Sequence, residues 1–168
     1  MAVYSYLLYL LVRLIDERIK MHVKRGIGQA NKMNNNPLNI RVSGNKWFGK
    51  NTKEGDTFES FVDESDGFRS GFIILYNYIG MGFNTLRKMI TEYAPPSDNN
   101  PTDAYISNVS KWANVNPDMI LTKDSYVPFA SDIIAGMFRQ EQGREPSAED
   151  VQKILEGFQL FKTKFSIS

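Results

Sequence analysis

An α+β fold, mainly helical with one small antiparallel sheet, is what this sequence predicts, and three observations lead there. Beyond residue 63, apolar residues recur at helical spacing between recognisable caps. Between residues 38 and 62 the text instead shows short runs around turn residues, with alternation in the last of them. A chain of 168 residues with 42% hydrophobic and 23% charged residues has enough apolar material for a single core, which excludes disorder. The domain is expected over residues 25–168, with 1–24 as an apolar N-terminal helix or extension.

That first segment carries an almost unbroken apolar run, VYSYLLYLLV over residues 3–12. The run is short of the roughly 20 residues that span a bilayer as a helix. No Lys or Arg precedes it, so it lacks the basic start of a secretory signal. A helix packed on the domain or a partner, or an extension upstream of an original start at Met21, is preferred to a membrane anchor.

Leu38–Val42 and Lys46–Phe48 read as short strands around a Ser43-Gly44-Asn45 turn, and Thr57–Val62 as a third. Ser65 or Asp66 then caps a helix running through Tyr78, with Phe68, Phe72, Leu75 and Ile79 on one face and Gly80 as its stop. Asn84 or Thr85 opens a shorter helix to Tyr93, ended by Pro95-Pro96. Asn100 followed by Pro101 is an N-cap with proline at the first helical position, leading into Tyr105, Ile106, Val109 and Trp112. Asn116-Pro117 marks a short turn. Ser125 to Gln142 forms a helix stopped by Gly143, and Ser147 with Asp150 forms a capping box for a last helix. That helix is expected to turn Val151, Ile154, Leu155, Phe158 and Phe161 to the core.

Composition narrows the chemistry. There is no cysteine, which excludes thiol nucleophiles, disulfides and thiolate metal sites. The single histidine, His22, rules out a two-histidine zinc site. A net charge of +1 offers no basic surplus for nucleic-acid binding. Neither a glycine-rich phosphate loop nor calcium-loop spacing is present, so no metal and no organic cofactor is expected. Acid–base work in such a chain falls to carboxylates.

Among these Glu141 stands out by position. It ends an apolar-faced helix in the string RQEQGREP, where the helix dipole disfavours an anion and burial would disfavour it further. Both effects raise a carboxyl pKa, as a general acid near neutral pH requires. An ordinary exposed residue before a glycine cap gives the same text.

RQEQGREP resembles the end of the catalytic helix in lysozyme-like lytic transglycosylases. Upstream, NNNPLNIR resembles the asparagine-proline-asparagine signature of a bacteriophage lysozyme-like virion protein family, related to lytic transglycosylases and muramidases. In that family a tryptophan strand, a phenylalanine-rich strand, a helix and a Tyr-Ala-Pro-Pro segment follow. Trp47, Phe58 and Phe61, the helix start at Gly67–Arg69, Tyr93-Ala94-Pro95-Pro96, Asn99-Asn100 and Tyr105 fall in that order here. The likeness spans roughly residues 25 to 160. Leu38 stands where the family commonly has glycine, and Gln140 and Gln142 flank the glutamate where histidine and asparagine are usual.

The resemblance implies a lysozyme-like domain that cleaves peptidoglycan as a lytic transglycosylase or muramidase, or a non-catalytic virion module that keeps the fold. Peptidoglycan is then the partner, with other virion proteins, at a virion or host-envelope location. The catalytic helix follows the sheet instead of preceding it, which implies a circular permutation that brings Glu141 to the Asn36–Trp47 region. Asn36 and Asn39 either bond the glycan or hold their turn. Trp47 either stacks on sugar or fills the core. Tyr93 resembles the tyrosine near the acid of related enzymes, and Tyr105 either joins it or faces the core. Asp56 and Glu59 are the candidates for a second carboxylate, which a retaining pair would hold about 5 Å from the first. Without one, Glu141 serves as acid and then base while the sugar's own groups supply the nucleophile.

Overall fold

The computed structural model describes residues 34–167; the apolar segment 1–24 and His22 lie outside the described residues. The helices are α1 (Glu64–Gly80), α2 (Leu86–Tyr93), α3 (Thr102–Ala113), α4 (Lys123–Gln142) and α5 (Ala148–Phe165), with a 3-10 turn at Pro96–Asp98 between α2 and α3. The chain is therefore mainly helical. Among the described residues no helix is long and apolar enough to cross a membrane.

Caps set most of the boundaries. Thr85 caps α2 through Lys88 N, and Ser147 and Asp150 form the reciprocal box expected at the start of α5. Gly143 ends α4 at φ 65°, a left-handed conformation that glycine adopts without strain. Three starts differ from expectation. Asp63, not Ser65 or Asp66, caps α1, accepting from Ser65 N at 3.0 Å. Thr122 caps α4, with Ser125 at the third position returning the bond. Pro101 is the cap residue of α3 and Thr102 its first helical residue, because the Asn100 amide donates instead to Pro95 O.

Helix α1 packs chiefly against α5, and α3 against α4. Glycine permits the first approach: a Cβ on Gly157 would lie 2.8 Å from both Phe68 Cβ and Ser65 O. Around it Phe72, Tyr76, Phe158, Phe161 and Phe165 form a ring cluster, with Tyr76 and Phe165 centroids 4.6 Å apart. Val151 and Leu155, expected inside, are 44% and 49% exposed, whereas Ile154 and Phe161 face inward as expected, joined by Gly157 and Leu160.

No strand forms among the described residues, so the expected sheet reduces to two antiparallel bridges, Arg41 with Phe58 and Lys50 with Phe61. Pairing begins, with Val42 N donating to Thr57 O and Glu59 N to Ile40 O. It cannot propagate, because the Asn36 side chain takes the next positions, donating to both Ile40 O and Glu59 O and accepting from Ile40 N. Positive φ at Asn39 (51°) and Gly49 (69°) bends the chain away on either side.

Candidate active site

The loop over residues 34–40 is seated by its own side chains and by α1. Asn35 donates its amide to Phe61 O and Val62 O, while the buried Asn36 amide joins Ile40 to Glu59. The bare surface of α1 at Gly67 and Gly71 receives Pro37 and Leu38, and any side chain at Gly71 would collide with Leu38 Cδ1. Leu38 is fully buried there. Two further bonds fix the loop's far end. Gln142 Nε2 donates to Pro37 O at 2.8 Å, and Tyr93 Oη donates to Leu38 O at 2.5 Å. Asn39 is left at the surface in a left-handed turn, directed at the end of α4.

There it meets Glu141. Asn39 Nδ2 donates to Glu141 Oε2 at 2.8 Å across 102 residues of sequence. From below, the buried Tyr105 donates its hydroxyl to Oε1 at 2.9 Å. Burial pushes the Glu141 carboxyl above its ordinary value, and the bonds from Asn39 and Tyr105 offset only part of that rise. The last turn of α4 adds carbonyl dipoles that disfavour the anion in the same sense. The neighbouring tyrosines stay neutral: burial, then the charge of Glu141, holds Tyr93 and Tyr105 well above the usual phenol range. They are donors, not bases.

Both glutamines flanking Glu141 act as pins. Gln142 holds Pro37, as above, and Gln140 accepts from Asn108 Nδ2 at 3.0 Å, tying α4 to α3. Arg139 lies 4.1 Å over the Trp112 ring and pairs with Glu145, which fixes the same turn from outside.

Glu141 opens on a cleft of about 510 Å³. One wall is the loop, with Asn39, Arg41, Asn45, Trp47 and Phe58. Helix α1 contributes Ile74, Asn77 and Tyr78, with Met81 just past its end, and Tyr93, Asp98 and Asn100 complete the lining. Burial lifts the Tyr78 hydroxyl to about 12, with Glu92 adding to the shift.

Of the residues singled out in the sequence, Glu141, Asn39, Trp47 and Tyr93 line this cleft, and Tyr105 supports Glu141 from the core side. Trp47 packs on the core, as one of its two expected roles requires, and also edges the cleft. Asn36 is not a cleft residue; its amide holds the turn. Neither candidate for a second carboxylate lines the cleft. Glu59 is fully buried, with one oxygen taking Lys50, Ser43 N and the Ser43 hydroxyl, the other taking Thr52. Burial opposes its charge, but the Thr52, Lys50 and Ser43 bonds outweigh that and leave its pKa lowered. Asp56 is exposed and accepts from Lys53 N at 2.8 Å, closing the turn between them.

Sequence reading missed the α1 wall and Asp98. A signal existed for the first: Ile74, Asn77, Tyr78 and Met81 stand at i, i+3, i+4 and i+7, a stripe beside the core face. For Asp98 there was none. Among the described residues no cluster of His, Cys, Asp and Glu fits a metal ion. In comparisons with known proteins the chain matches no family model and no curated protein.

Proposed function

We propose that this protein cleaves the glycan strands of bacterial peptidoglycan, with Glu141 as a single general acid and base, on a circularly permuted lysozyme-like fold encoded by a bacteriophage. The observation that carries the reading is Glu141 itself: a carboxyl with a raised pKa, held by Asn39 and Tyr105, at the wall of a cleft large enough for sugar rings. The permutation is supported by the meeting of the loop over residues 34–40 with the end of α4, far apart in the chain.

In this scheme protonated Glu141 gives its proton to the glycosidic oxygen as the C1–O bond breaks, the bonding pair leaving with that oxygen. The carboxylate, stabilised by the Asn39 and Tyr105 donors, then removes a proton from the nucleophile that attacks C1. Asp98, the other carboxylate on the cleft, is ion-paired with Arg41. In this reading the nucleophile is the sugar's own C6 hydroxyl, giving an anhydro end; attack by water in its place would give a reducing end. Asn45, Asn77 and Asn100 offer amides for hydroxyl and N-acetyl groups, and Trp47, Phe58 and Tyr78 offer apolar faces for the rings. The place of action is the virion or the host envelope.

A second reading, a non-catalytic virion module, is favoured by the fact that both Glu141 oxygens already accept bonds from the fold. Clearing of purified peptidoglycan by the wild type beside Glu141→Gln separates the two, and mass analysis of the fragments distinguishes anhydro from reducing ends.

A further inference from the structure

The described arginines differ in how firmly they are held. Arg87 forms two bonds to Asp118, at 2.7 and 2.9 Å, and Arg144 two to Asp150, at 2.6 and 3.0 Å. Arg69 lies over Phe48, and Arg139 over Trp112. Arg41 alone has a single tie, one Nη2 contact of 3.2 Å to Asp98 Oδ2, with its side chain 65% exposed. It is also the arginine that lines the cleft, two residues from Asn39.

We infer that Arg41 is a docking point for a carboxylate carried by the glycan, and that Asp98 holds it in place until that carboxylate displaces it. The inference rests on the glycan-cleaving reading and narrows the substrate class to anionic strands. A guanidinium offers five donors in a fork that takes a carboxylate by two parallel bonds, whereas Asp98 reaches it through a single Nη2 contact. An exposed pair of this kind contributes little, so exchanging it costs little. The carboxylates of the cleft wall are Asp98 and Glu141, and both oxygens of Glu141 are already engaged by Asn39 and Tyr105. In peptidoglycan the carboxylate belongs either to the lactyl ether, once its peptide is removed, or to the stem peptide. Neutral N-acetylglucosamine polymers carry neither.

The test titrates three probes into the Glu141→Gln protein, which leaves strands uncut. The probes are a neutral chito-oligosaccharide, amidase-stripped glycan strands with free lactyl carboxylates, and strands retaining their peptides. Adding Arg41→Met should weaken binding of at least one anionic probe about five- to tenfold and leave the neutral one unchanged. The anionic probe that loses affinity identifies the source of the carboxylate. Adding Asp98→Asn should tighten the same probe about two- to fivefold, because the competitor is gone. Equal weakening of all three probes by Arg41→Met would make it a loop-positioning residue and overturn the inference. So would unchanged binding of all three in a protein whose wild type still clears peptidoglycan, which leaves the cleavage reading intact. Failure of every probe to bind, with no clearing by the wild type, overturns both.

Discussion

Replacing Tyr105 by Phe removes one oxygen atom from a buried position and isolates one bond, the 2.9 Å contact to Glu141 Oε1. A hydrogen bond to an ionised acceptor contributes about 1.5–3 kcal/mol, and one to a neutral acceptor about 0.5–1.5 kcal/mol. The cost of the substitution therefore depends on whether Glu141 is charged. Burial sets the Glu141 pKa above its unfolded value of 4.5, with Asn39 and Tyr105 pulling it back. The folded state consequently binds the proton more tightly, so the stabilising contribution of that proton is complete below the unfolded value and is lost as pH rises through the folded one. Tyr105 acts in the opposite sense, stabilising the ionised form. Its loss should cost about 1 kcal/mol more near pH 7 than near pH 4. For a chain of this size that is a Tm difference about 2–4 °C larger at the higher pH. Thermal unfolding of the wild type and Tyr105→Phe at both pH values measures it, with Glu141→Gln as background control, where the pH dependence should vanish. An equal cost at both pH values, or the same pH dependence without Glu141, would refute the claim that Tyr105 supports an ionisable Glu141.

Asn39→Gly keeps the left-handed backbone of residue 39, at φ 51°, but deletes the amide that bonds Glu141. Removing a donor to the ionised carboxyl raises its pKa, so the high-pH limb of the kcat/KM profile on peptidoglycan should move upward while the maximum falls; an unmoved limb counts against Glu141 as the acid. Lys50→Met strips the buried Glu59 of the ammonium 3.0 Å away. Glu59 has a lowered pKa, so its contribution is present above the unfolded value and lost as pH falls through the folded one. The substitution should cost about 2 kcal/mol near pH 7 and less near pH 3, measured by urea unfolding.

Local chemistry made the helices legible. Thr85, Gly143 and the Ser147–Asp150 pair mark ends that the chain obeys, because a cap is satisfied by neighbours in sequence. The loop region was misread as strands for the converse reason. Whether residues 38–62 pair depends on where the Asn36 amide goes, and it goes to two backbone carbonyls, one 4 and one 23 residues along the chain from it. Glu59 was a candidate second carboxylate, and its burial went unseen because its partners Lys50, Thr52 and Ser43 form a pocket that no periodicity announces. Val151 and Leu155 fit the core spacing of α5, yet Gly157 draws α1 onto an adjacent face. At the site, Glu141 was visible from its place at a helix end. Its approach to the Asn36–Trp47 region was expected only through the likeness of two motifs, and its bond to Asn39 was not expected at all, since a contact across 102 residues leaves no local trace. Asp98 was invisible for the same reason: its significance comes from Arg41, brought to it by the fold.

The central claim is that Glu141 performs acid catalysis on glycan strands, and clearing of purified peptidoglycan tests it most directly. The wild type should lower turbidity and release fragments with anhydro-muramyl ends. Glu141→Gln should release none, while unfolding at a Tm no lower than that of the wild type near pH 7, because the substitution removes a charge that burial disfavours. Equal clearing by both proteins, or no clearing by a well-folded wild type across several wall types, would contradict it.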